Sequence, residues 1–64
     1  MGRRAPRYWW EFKHRDDGTM FLVIESDDSR LPDPVARFAD TEIAAAERLI
    51  ADLSAGRADP RRCA

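Results

Sequence analysis

The chain has 64 residues, 36% of them charged, a formal net charge of −1 and one cysteine. That length holds one small domain, which buries only ~60% of its extended surface on folding. A single Cys63 excludes an internal disulfide framework, no stretch is long and apolar enough for a membrane span, and the near-neutral charge argues against a uniformly basic nucleic-acid-binding domain.

The charge is nevertheless uneven. Residues 1–15 carry Arg3, Arg4, Arg7, Lys13 and Arg15 against Glu11, a net +4. Residues 16–59 carry eleven carboxylates against four arginines, a net −7, and Arg61 and Arg62 add +2. Residues 1–6 read as a flexible basic arm, and a short arm of this kind can reach phosphate. No signal-peptide apolar region with a small-residue cleavage site follows the arginines. With no disulfide framework, the expectation is a reduced, cytoplasmic protein.

Tyr8-Trp9-Trp10-Glu11-Phe12-Lys13-His14 and Met20-Phe21-Leu22-Val23-Ile24-Glu25 read as two strands of a β-hairpin around Asp16-Asp17-Gly18. Side chains alternate between faces, so the turn decides which residues share one. A two-residue turn at Asp17-Gly18 sets Phe12 opposite Val23 and mixes charged and apolar residues on both faces. A type I turn at Asp16-Asp17 with Gly18 left-handed, a G1 bulge, pairs Arg15 with Thr19, Phe12 with Leu22 and Trp10 with Ile24. Every even-numbered residue then lies on one apolar face. This second register is the expected one, because a one-residue slip moves the whole hydrophobic set.

The opposite face carries Trp9 across from Glu25, Glu11 across from Val23 and Lys13 across from Phe21. Scattered surface hydrophobes of this kind are ordinary, and rings often cover Lys and Glu stems. Read more sharply, the cluster is a binding or dimer patch, since aromatic side chains concentrate at interfaces.

Ser26-Asp27-Asp28-Ser29 ends the second strand as a turn. Pro32 and Pro34 keep the next segment out of helix and central strand. Val35–Phe38 is either a third, edge strand or an extended lead-in to a helix. Asp40 or Thr41 caps that helix, which runs over residues 41–54 with Glu42 in its first turn. Ile43, Ala46, Ile50 and Leu53, with Leu49 beside them, form one apolar stripe, and Gly56 supplies the stop. Residues 56–64 read as a flexible tail. The expected fold class is α+β: an antiparallel hairpin, three-stranded if residues 35–38 pair, packed on one C-terminal helix within residues 7–55. Its expected core is Trp10, Phe12, Leu22, Ile24, Ile43, Leu49, Ile50 and Leu53.

The chemistry-bearing residues are sparse. His14 falls at the turn end of the core face with no nucleophile placed near it, and Cys63 reads as a solvated bystander thiol. One His and one Cys at opposite ends do not suggest a metal site. Asp16-Asp17 and Asp27-Asp28 sit in turns, where Asp is expected for backbone reasons, and no Gly-rich loop is present to cradle phosphate. The expectation is a non-enzymatic chain with no catalytic residue, no metal and no cofactor.

Trp10-Glu11-Phe12-Lys13, Asp17-Gly18 and Ala44-Ala45-Ala46 resemble the small YegP-like proteins, whose short ββ(β)α units have a poorly defined function. Phe38-Ala39-Asp40-Thr41-Glu42-Ile43-Ala44 resembles the sheet-to-helix junction of Arm-type, AP2-like integrase DNA-binding domains. That second resemblance implies a three-stranded sheet laid in the DNA major groove, met here by Lys13 and Arg15 beside Glu11 and Glu25. Each resemblance covers about residues 8–54.

Two functions follow as expectations. The first is a protein-interaction module or accessory subunit that binds a protein partner, or a second copy of itself, through Trp9, Phe21 and Val23, rimmed by Glu11, Lys13 and Glu25. The alternative is nucleic-acid binding through Arg3, Arg4, Arg7, Lys13 and Arg15. Neither involves a membrane.

Overall fold

The computed structural model describes residues 5–63. Three strands, β1 (Tyr8–His14), β2 (Met20–Ser26) and β3 (Ala36–Ala39), precede one helix, α1 (Ile43–Ser54). The strands form an antiparallel sheet in the order β1-β2-β3, so β2 is central. The fold is thus α+β, and residues 36–39 do pair as a third strand.

The hairpin takes the bulged register. Trp10 lies opposite Ile24 and Phe12 opposite Leu22. Arg15 N–H donates to Thr19 C=O at 2.8 Å, Gly18 N–H to Arg15 C=O at 2.9 Å, and Gly18 has φ +88°. That backbone is cheap only without a Cβ. Asp17 Oδ1 holds the turn by accepting from the backbone N–H and the hydroxyl of Thr19, at 2.9 and 2.7 Å.

The helix lies against the even face of the sheet. Leu22, Ile24, Val35, Ala36, Ala46 and Leu53 are buried together, with Tyr8, Trp10, Phe38, Ile43, Leu49 and Ile50 packed partly buried around them. Ala46 faces this core with no side chain beyond Cβ, which lets the helix backbone approach the sheet. Val35, Ala36 and Ala46 are absent from the core expected from sequence. Phe12 was expected inside and is 40% exposed, as Met20 is at 37%. The reason is position. β1 is an edge strand, so Phe12 has a cross-strand neighbour on one side only. Its ring stands edge-on to Trp10, with centroids 5.3 Å apart.

The helix starts later than residues 40–41 suggest. Its N-cap is Glu42, which makes no side-chain cap bond; Asp40 and Thr41 belong to the turn after β3. The Glu42 carboxylate reaches back instead, accepting from Ala39 N–H at 2.8 Å and pinning the strand-to-helix junction. Gly56, with φ +77°, ends the helix and donates to Leu53 C=O at 3.2 Å.

The segment read as a tail turns back on the helix. The N–H groups of Arg57 and Ala58 donate to Asp52 C=O at 2.8 and 3.3 Å. Asp59 caps a single 3-10 turn, Pro60–Arg62, by accepting from Arg61 N–H at 2.9 Å. Ala58 and Cys63 pack against the core cluster. Cys63 is therefore half-buried rather than solvated. Burial, with the Asp59 charge second, pushes its thiol pKa up, which suits an inert thiol over a nucleophile.

Candidate functional site

The outer face of the sheet is built by alternation alone. Trp9, Glu11 and Lys13 of β1 share it with Phe21, Val23 and Glu25 of β2, and the pairing of Val23 with Arg37 adds a β3 cation. The β2–β3 connection borders the same face. Trp9, Glu25, Leu31, Pro32 and Asp33 line one shallow depression of about 320 Å³. Lys13, Phe21, Val23, Glu25, Pro34 and Arg37 line another of about 350 Å³. Glu25 and Asp33 border both. Neither depression encloses a substrate.

The expected anchors are not equivalent. Trp9 is 38% exposed and presents its ring at the sheet edge. Phe21 is half-buried, and the Arg15 guanidinium sits 4.6 Å above its ring, a cation–π contact. Val23 is 2% exposed, because it occupies the central strand between Glu11 and Arg37. It forms the floor of the face and offers no anchor to a partner.

The rim is tied together. Trp9 Nε1 donates to Glu11 Oε2 at 2.7 Å. Lys13 Nζ lies 4.0 Å from Glu11 Oε1 and 3.7 Å from Glu25 Oε2. Such exposed pairs contribute little stability. The Trp9 hydrogen bond holds the Glu11 carboxyl below its ordinary range, helped by Glu25 and by Lys13. Hydrogen bonding to Glu11, then burial, lifts the Glu25 pKa. As pH falls, Glu25 takes its proton before Glu11 does. The Trp9 indole N–H resonance is therefore expected to move in two steps, the larger below the usual glutamate range. A single step at the ordinary glutamate pH would show that the Trp9–Glu11 bond does not persist in solution.

The other expected contacts are dispersed. Arg7 lies just before β1, where its backbone N–H donates to Asp27 Oδ1 at 2.9 Å. Arg3 and Arg4 lie outside the described residues. His14 is exposed at the turn end of β1. One member of each acidic pair serves its turn, Asp17 at Thr19 and Asp28 at Arg30: Asp28 Oδ1 accepts from the Arg30 backbone at 3.0 Å, and its carboxylate makes a two-point contact with the Arg30 guanidinium. Among the described residues, no three His, Cys, Asp or Glu side chains converge as a metal site requires, and no helix is long and apolar enough to cross a membrane.

Sequence reasoning did not single out Arg37, Phe12 and Met20 as surface features. Arg37 required knowing that β3 pairs. Met20 had a signal in sequence, since it adjoins the turn, the end of a hairpin that a single short helix reaches least, whereas the exposure of Phe12 comes from the place of β1 at the sheet edge.

Compared with protein-family models, curated proteins and solved structures, the chain has no match.

Proposed function

We propose that this chain is a non-enzymatic protein-interaction module, or the accessory subunit of a larger assembly, that engages a protein partner through the outer face of its sheet. The observation that carries this reading is Trp9. A large ring, 38% exposed, stands beside a rim in which the single cation Lys13 faces the carboxylates of both Glu11 and Glu25. An aromatic anchor inside a polar rim is the arrangement in which a few side chains dominate binding energy. Open, shallow depressions, with the Asp17 and Asp28 carboxylates occupied in their turns, favour recognition over catalysis.

Nucleic-acid binding is the second reading, favoured by one observation: β3 adds Arg37 to the face that holds Lys13 and Arg15. It has less support, because Lys13 is paired with carboxylates and Arg15 is stacked on Phe21.

Trp9→Glu tests both. It is expected to abolish partner capture by the immobilised chain while the circular dichroism stays that of the wild type. A control substitution on the exposed helix surface, Glu47→Lys, is expected to leave capture intact. Partner capture undiminished in Trp9→Glu would overturn the reading. Binding to duplex DNA or RNA at low salt, falling steeply as salt rises, would establish the alternative.

A further inference from the structure

We propose that the free edge of β1 pairs with β1 of a second copy of this chain, in antiparallel register with Phe12 on the two-fold axis. This inference does not rest on the partner-binding reading above.

The first observation is the direction of the backbone groups. Antiparallel pairs alternate between hydrogen-bonded and non-hydrogen-bonded residues. At the two ends of the β1–β2 ladder, Asp27 N–H donates to Arg7 C=O at 3.4 Å and Arg15 N–H to Thr19 C=O at 2.8 Å. The odd residues of β1 thus face β2. The even residues Tyr8, Trp10, Phe12 and His14 turn their N–H and C=O groups to the outer edge, which among the described residues nothing pairs. A seven-residue edge of this kind is a template for another strand.

The second observation is charge complementarity, which selects both occupant and register. With Phe12 opposite its own copy, Glu11 falls opposite Lys13 of the second copy, and Lys13 opposite Glu11, two ion pairs related by the dyad. Both are non-hydrogen-bonded pairs, where side chains approach most closely. Trp9 then faces Arg15, and Trp10 faces His14. Sliding by one pair in either direction sets Glu11 against Glu11 or Lys13 against Lys13, and like charges directly opposite destabilise. The edge charges that normally discourage strand addition become, in this one register, its specificity.

The third observation is Phe12 itself. It is 40% exposed on the helix side of the sheet, and in this register the two Phe12 rings meet at the dyad. The result is a six-stranded sheet with both helices on one face and both Trp9 faces on the other.

The experiment is sedimentation of the full chain across a concentration series, with circular dichroism to verify folding. The wild type is expected to dimerise. Glu11→Lys and Lys13→Glu each place like charges opposite one another twice per dimer and are expected to weaken dimerisation at least about tenfold. The double variant Glu11→Lys/Lys13→Glu reverses both partners and is expected to dimerise again. Trp9→Glu, which places a carboxylate opposite Arg15, is expected to remain dimeric, so loss of partner capture and loss of dimer are separable. A wild type that stays monomeric throughout the series, or a double variant no better than the singles, would overturn the proposal.

Discussion

Ile24→Ala is expected to lower the unfolding free energy by about 2–5 kcal/mol, the range for removing a buried aliphatic side chain from a core that cannot collapse around the gap. Ile24 has no exposed surface. It lies on the central strand, opposite Trp10 on one side and Ala36 on the other, and its C=O accepts from Val35 N–H at 2.8 Å. Sheet, connecting loop and helix all close on this residue, so no neighbour is free to move in. A chain of this size has a total stability of about 3–10 kcal/mol. The loss is therefore a large share of the whole, and at about 4–8 °C per kcal/mol the melting temperature falls by at least about 8 °C. Thermal unfolding followed by circular dichroism measures it. A fall of only a degree or two would mean that the helix does not pack over the even face of β2.

The same residue explains how much of the fold could be read in advance. Register was legible because Gly18 and the two-residue alternation constrain each other: only the bulged turn gathers Trp10, Leu22 and Ile24 on one side. The helix was legible from the spacing of Ile43, Ala46, Ile50 and Leu53. Depth of burial was not legible, because alternation assigns a face and says nothing of the neighbours beyond the hairpin. Phe12 and Leu22 have the same parity and similar hydrophobicity, yet one is on an edge strand and the other at the centre. Val23 was assigned to the surface by parity, and β3 buried it by setting Arg37 on its far side. Val35 and Ala36 entered the core because the short segment after Pro34 paired as a strand, one of two outcomes its sequence allowed. Cys63 and Ala58 reached the core through Asp52, whose C=O accepts both N–H groups that begin the segment after Gly56.

The contrast between Trp10 and Phe12 gives the sharpest separation of folding from association. Trp10→Ala is expected to cost about 3 kcal/mol, because its ring packs against the core cluster on the helix side. Phe12→Ala, measured on the monomer, is expected to cost about 1 kcal/mol, the value of an edge-to-face ring contact with little burial behind it. Concentration then becomes the informative variable. A group that is exposed in the monomer and buried in a dimer contributes to stability only where the dimer is populated, since assembly stabilises the folded state by mass action. The deficit of Phe12→Ala should thus grow as protein concentration rises, while that of Trp10→Ala should persist at dilutions where only monomer remains. Chemical denaturation at two concentrations a hundredfold apart reads both. A Phe12→Ala deficit equal to that of Trp10→Ala in dilute solution would place Phe12 in the core after all. A small deficit that never changes with concentration would leave the ring exposed in every state of the chain and would argue against the β1 edge as a self-association surface.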